Sequence, residues 1–228
     1  MHRMRKKNES VSCTPSVAPV MSSFATVQFP GINFSVREEE NTMTKEKTIS
    51  TYQLKITLRG SRPPIWRRFI VPGSMTLAKL HQAIQIVMGW TDTHLHEFIA
   101  GSVSYGVPDP EWPSGSRNEA RVKVNQLLNK EKEKFFYLYD FGDGWEHVIK
   151  LEKIVIGDKA SSKPKCLAGK RACPPEDCGG IYGYYQFLEA IKDPDHPKHE
   201  NMIKWLGGDI NPDFFDIDEV NETLSSLK

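Results

Sequence analysis

The sequence predicts an α+β fold: a small mixed or antiparallel sheet with an early packing helix and further helices at the C-terminal end. Two observations carry this expectation. Strand-like patterns concentrate before helical ones, instead of alternating with them as a parallel α/β sheet requires. A single amphipathic stripe, Leu77, Leu80, Ile84, Val87 and Met88, interrupts the strands early. No internal repeat points to a solenoid or propeller.

The first strand is expected over Tyr52–Leu58, where strict alternation places Tyr52, Leu54, Ile56 and Leu58 on one face. Gly60 and the Pro63-Pro64 pair mark a turn, and Trp66–Val71 returns as a second strand that ends at Pro72-Gly73. Thr76 supplies an N-cap for the early helix, which stops at Gly89. His94–Ile99 is expected as a third strand, and Val103–Arg121 as a long polar loop. Phe135–Tyr139 and Trp145–Leu151 form a predicted hairpin with Asp143-Gly144 in its turn. Helical patterns follow at 182–191, 198–206 and 216–227, the last with Ile217, Val220 and Leu224 on one stripe. Residues 1–49 lack periodicity and carry an acidic run at Glu38–Glu40, so they are expected to be a disordered tail ahead of a single domain at 50–228. Met43 is an alternative start immediately before the first strand.

Composition narrows the function classes. The 228 residues are 39% hydrophobic and 26% charged with a net charge of +1, so no global basic surplus draws nucleic acid. The basic start Met1–Lys7 runs into a polar stretch unlike the apolar core of a signal peptide. No apolar run reaches the ~18 residues of a membrane span. The expected location is therefore the cytoplasm, with no membrane partner. Four cysteines, Cys13, Cys166, Cys173 and Cys178, are then free thiols or metal ligands.

Three constellations carry candidate chemistry. Cys166, Cys173 and Cys178 supply three soft ligands for zinc, with His147, His196 or His199 available as a fourth; the plainer alternative is free thiols in a Pro/Gly-rich loop. His94 and His96, two apart, share one face of a strand and either converge on a ligand or sit hydrogen-bonded at the edge of the core. If the hairpin turn meets the Pro174-Pro175 loop, then Asp140, Asp143, Glu176 and Asp177 surround one polar cleft together with Trp145 and His147. Ordinary turn chemistry accounts for the glycines and part of the acids. A fourth candidate is the basic hairpin, where Arg59, Arg67 and Arg68 beside Trp66 suit nucleic-acid backbone contact with stacking; solvated arginines are the alternative. Asp140-Phe141-Gly142 spells a kinase metal triplet without its companion motifs, and no Walker loop, Rossmann fingerprint or deaminase signature is present.

Read in order, several segments resemble the plasmid pRiA4b ORF-3-like family, found mainly in bacteria and archaea. They are Tyr52–Leu58, Pro64-Ile-Trp-Arg-Arg68, Leu80-His81, Met88-Gly-Trp90, His94–Phe98, Tyr139-Asp-Phe-Gly-Asp143 with Trp145 and His147, and Cys173-Pro-Pro-Glu-Asp-Cys-Gly-Gly180. The resemblance spans Tyr52 to Leu227. It implies a compact α+β domain without an established activity, and the resolvase-like or insertion-element labels of some members imply a mobile-element setting. The preferred expectation is a binding or interaction domain for an unknown ligand or protein. The alternatives are a zinc-dependent hydrolase and a nucleic-acid-binding accessory protein.

Overall fold

The fold is taken from a computed structural model that describes residues 50–109, 111, 115–157, 160–208 and 211–227. The predicted tail, the start at Met43 and Cys13 lie outside these residues. No described helix is long and apolar enough to cross a membrane.

Eight strands form one mixed sheet: β1 (Ser50–Leu58), β2 (Trp66–Pro72), β3 (His96–Ala100), β4 (Val103–Gly106), β5 (Arg117–Asn118), β6 (Lys134–Tyr139), β7 (Trp145–Ile156) and β8 (Lys165–Lys170). Their spatial order is β5-β4-β3-β6-β7-β1-β2-β8, antiparallel throughout except for the short β4–β5 pair. The described residues also form five helices: α1 (Leu77–Met88), α2 (Val124–Leu127), α3 (Gly180–Lys192), α4 (His199–Leu206) and α5 (Ile217–Ser225).

The period-two pattern of β1 has the expected consequence, since Tyr52, Leu54, Ile56 and Leu58 are all buried. They share one core with the apolar stripe of α1 and with Phe98, Phe135, Tyr137, Tyr139, Ile149 and Leu151 of the neighbouring strands. Thr76 accepts from the Lys79 amide, and Gly89 closes α1 in a left-handed conformation at φ 91° that a side chain would strain.

Four strands differ from expectation. The third begins at His96, not His94. The predicted polar loop after Val103 contains β4, β5 and a 3-10 turn at Glu119–Arg121. These pieces are only four, two and three residues long, too short for periodicity to reveal. The region read as a cysteine-bearing loop contains β8, paired to β2 with a register shift at Arg68/Phe69.

β8 is an edge, and an exposed edge leaves backbone groups open to mispairing. Asn221 of α5 covers it: its Oδ1 accepts from the Cys166 amide at 2.8 Å and its Nδ2 donates to the Cys166 carbonyl at 3.1 Å. The side-chain amide thus takes the place of the next strand's peptide. Asn221→Ala is expected to lower unfolding free energy in urea by about 2 kcal/mol, the cost of two lost bonds at a partly buried edge. A change below about 0.5 kcal/mol would show that water replaces the amide without loss.

Candidate functional site

Two loops remote in sequence meet at the end of the β6–β7 hairpin. Asp140 adopts φ 56° and its Oδ1 accepts from the amides of Gly142 and Asp143 at 2.9 and 3.3 Å, which builds the tight turn. The diproline loop docks on this turn. Asp143 Oδ2 accepts from the Gly179 amide at 3.1 Å. Gly180 lies so close that a Cβ there would fall 2.3 Å from the Asp143 carbonyl oxygen, and its φ is 67° besides.

Glu176 fastens the same loop to the body. Its carboxylate accepts from Tyr139 Oη at 2.5 Å, Thr91 Oγ1 at 2.5 Å, the Thr91 amide at 3.2 Å and Thr93 Oγ1 at 3.2 Å. Burial works to raise the Glu176 carboxyl, but the donors from Thr91, Tyr139 and Thr93 outweigh it and hold the group below its usual range. On the other side of the bond, burial and then the Glu176 contact push the Tyr139 hydroxyl up to about 12. Trp90 Nε1 donates to the Pro174 carbonyl at 3.1 Å, and its ring stacks on Tyr139 at 4.8 Å.

The docking brings together His94, Asp140 and Asp177, with His94 Nε2 at 3.2 Å from Asp177 Oδ1 and 3.8 Å from Asp140 Oδ2. His96 goes elsewhere. His94 precedes β3, so the expected shared strand face does not apply. The His96 ring stacks on His81 of α1 with centroids 3.4 Å apart and planes 4° from parallel, and its Nε2 meets the buried Glu119 carboxylate at 2.8 Å. His81 in turn bonds Tyr137 Oη through Nδ1 at 2.8 Å and Asp92 Oδ1 through Nε2 at 2.7 Å. Burial, then the neighbouring His96, lowers the His81 imidazole against the opposing pull of Asp92 and Glu119. Sequence reasoning did not nominate His81, Asp92 or Glu119 as site residues. One signal was present: His81 and Gln85 are polar residues four apart, embedded in the apolar stripe of α1. Asp92 and Glu119, in a turn and a short irregular segment, carried none.

His81, Asp92 and His96 border a cleft of about 660 Å³ together with His94, whereas Asp140, Asp143, Glu176 and Asp177 are not among its lining residues. It is lined by four carboxylates (Asp92, Glu97, Asp109, Glu119) and three imidazoles (His81, His94, His96), and no Lys or Arg lines it among the described residues. Leu95, Val107 and Phe141, all exposed, supply apolar surface there.

Several nominated residues take other places. Trp145 and His147 are fully buried, so they back the site and do not face the cleft. Inward alternation on β7 puts them there, with His147 edge-on to Trp90 at 5.2 Å. Arg67 is buried too. Its Nε donates to the Val87 carbonyl at 2.7 Å, its Nη1 to the carbonyls of Trp66 and Lys170 at 3.0 Å, and its guanidinium lies 4.0 Å from the Phe215 ring. Arg68 pairs with both oxygens of Glu152 at 2.6 and 3.0 Å, and Arg59 pairs with Glu146. Arg67 is therefore withdrawn from the surface, whereas the ion pairs of Arg59 and Arg68 remain exposed or partly exposed.

The three-thiol zinc set is not assembled either. Among the described residues, the groups of three or more ligands within 4.8 Å of one another are His81–Asp92–His96 and His94–Asp140–Asp177, with no cysteine in either. Cys166 lies in β8 with its Sγ on the Arg68 and Ala168 carbonyls. Burial raises the thiols of Cys173 and Cys178, the latter to about 12. His196 Nδ1 accepts from the Lys198 amide and His199 Nδ1 bonds the Ala190 carbonyl, both within the α3–α4 region.

The sequence model of the plasmid pRiA4b ORF-3-like protein family matches residues 50–219. The uncharacterized protein y4hQ of Sinorhizobium fredii is 39% identical over 182 residues, covering 78% of this chain and 92% of y4hQ. The crystal structure of the protein of unknown function MM3350 from Methanosarcina mazei Go1 is similar at a TM-score of 0.68 and 37% identity, over 75% of this chain and 97% of that one. These descriptions name no reaction or ligand.

Burial holds the His147 imidazole down at about 4, against about 6.5 for an unfolded histidine. The unfolded chain thus takes up the proton first. The contribution of His147 to stability is complete above about pH 6.5 and is lost as pH falls towards 4, by up to about 3 kcal/mol. Urea titrations from about pH 7.5 to 4.5 are expected to show this loss in the wild type and a shallower slope in His147→Leu. Identical slopes would place a proton on the native imidazole.

Proposed function

We propose that this chain, which belongs to the plasmid pRiA4b ORF-3-like protein family, is a binding domain whose cleft receives a positively charged group carried on a partly apolar partner. One observation supports the reading above all: a concave surface with four carboxylates, three imidazoles and, among the described residues, no lining Lys or Arg. A cation entering it gains several attractions at once, each of about 4 kcal/mol at 4 Å for an effective dielectric of about 20, before desolvation is subtracted. A phosphate would meet the opposite field. Leu95, Val107 and Phe141 favour a partner that buries apolar surface beside its charge, such as a protein segment with Lys or Arg next to a large hydrophobe.

The same features separate this reading from its rivals. Weighing against a cysteine-based zinc hydrolase, no cysteine joins a ligand group among the described residues, and weighing against nucleic acid, Arg67 is buried on backbone carbonyls while Arg68 and Arg59 pair with Glu152 and Glu146. The free thiols of Cys166, Cys173 and Cys178 fit a reducing compartment, so we assign the domain to the cytoplasm. The plasmid description of the family supports a mobile-element setting.

Fluorescence anisotropy with a labelled Leu-Lys-Phe-Arg-Leu peptide tests the proposal, with Leu-Glu-Phe-Glu-Leu as the counterpart. The basic peptide is expected to bind, to weaken as salt is raised, and to lose about tenfold in affinity with Glu97→Gln or Phe141→Ser. Equal binding of the acidic peptide, or indifference to both substitutions, contradicts the proposal.

A further inference from the structure

We infer that His94, Asp140 and Asp177 form a binding site for a divalent cation that accepts one nitrogen and two oxygen ligands, with Mn²⁺ as its representative. The inference goes beyond the partner reading and does not rest on it, because Asp140 and Asp177 lie outside the lining of that cleft.

The three ligands come from separate segments: the lead-in to β3, the turn after β6 and the diproline loop before α3. Their ligating atoms all lie within 4.8 Å of one another. Bonds of roughly 2.1–2.2 Å place neighbouring ligands roughly 3.0–3.6 Å apart, between octahedral and tetrahedral geometry. The 3.2 Å separation of His94 Nε2 from Asp177 Oδ1 falls in that range, and the 3.8 Å separation from Asp140 Oδ2 exceeds it slightly. His94 precedes β3, so its ring is free of the ladder and can close that difference.

Each ligating atom is uncommitted. Asp140 spends Oδ1 on the amides of Gly142 and Asp143 and keeps Oδ2 for the side facing His94. His94 Nε2 is buried, yet it has no hydrogen-bond partner among the described residues. This last point separates a cation site from a plain ion pair. Asp177 Oδ1 is near enough to accept, so the missing bond means that it lies off the line along which the ring nitrogen donates. Two carboxylate oxygens that flank a nitrogen off its axis leave room for an ion on that axis. The His81–Asp92–His96 group fails the same test: its rings stack face to face, and both His81 nitrogens are spent on Tyr137 and Asp92.

Charge points the same way. Asp143 and Glu176 stand on the same two loops as Asp140 and Asp177, and none of the four pairs with Lys or Arg among the described residues. One imidazole offsets at most one of these charges, whereas a dication offsets two. The backbone around Asp177 is held on both sides, by the Glu176 bonds and by Gly179 on Asp143, while its side chain is 71% exposed. Three protein ligands with one open side leave coordination positions for water.

Titration of the full chain with Mn²⁺, followed by electron paramagnetic resonance, tests the assignment. One ion per chain is expected to lose the free-ion signal, and the pulsed spectrum of the bound ion is expected to show coupling to one imidazole nitrogen. His94→Gln and Asp177→Asn are expected to weaken binding at least about tenfold, whereas Asp92→Asn leaves it unchanged. Urea unfolding confirms that each variant is folded, and the exposed Asp177 keeps the test informative if the His94 variant is not. Absence of saturable Mn²⁺ binding by the folded wild type overturns the assignment. So does binding without nitrogen coupling, or binding that is lost with Asp92→Asn and retained with Asp177→Asn. The peptide experiment, read through Glu97 and Phe141, decides the partner reading separately.

Discussion

The organisation of the site rests on one carboxylate. Glu176 gathers hydroxyls from Thr91, Thr93 and Tyr139 and one backbone amide, so a loop distant in sequence is bound to the turn after α1 and to the end of β6. Hydrogen bonds to a charged acceptor are stronger than neutral ones, typically about 1.5–3 kcal/mol each, with the partial exposure here favouring the lower end. The neighbouring contacts follow from that anchor. Pro174 offers its carbonyl to Trp90, Gly179 reaches Asp143, and Asp177 arrives beside His94. Without the anchor, the hairpin turn keeps its internal Asp140 bonds but loses its opposite wall.

Legibility in the sequence followed the length of the pattern. β1 and α1 were readable because alternation or a helical stripe continues over several residues and burial enforces it. β4, β5 and β8 were not, since a strand of two to six residues at or next to a sheet edge has few buried positions to constrain its composition. The density of acids and glycines in the hairpin turn and the diproline loop singled both out, but their meeting was legible only as a condition. The roles within it were not legible. Trp145 and His147 looked like cleft residues because they are polar-tipped, but they occupy inward positions of a strand buried on that face. Arg67 alternates inward in the same manner, and the Val87 carbonyl at the end of α1 gives its charge a destination. Neither fact is visible without knowing which face of the strand meets the helix.

The two histidine groups show why convergence resists sequence reading. His81 and Gln85 mark the helix, but their partners Asp92, His96, Tyr137 and Glu119 come from four other segments. Only the sheet order, which sets β3 beside β6, places Tyr137 and His96 on one wall. A polar network of this kind inside a wall is costly unless its members are satisfied. Here both faces of the Gln85 amide and both nitrogens of His81 are used. By contrast, the Trp145 indole N–H and His147 Nε2 lack hydrogen-bond partners among the described residues, although they sit behind the same surface. Local stability has been given up there, a pattern common beside functional surfaces.

The coupling of Glu176 to Tyr139 is therefore the point at which the account is most exposed. A double-mutant cycle with Tyr139→Phe and Glu176→Gln, read by urea unfolding at neutral pH, isolates that pair from the other donors. The account predicts a coupling free energy of about 1 kcal/mol or more, falling as the pH is lowered through the Glu176 carboxyl range. Additive effects of the two substitutions, with no coupling at any pH, would mean that the diproline loop is held by something else.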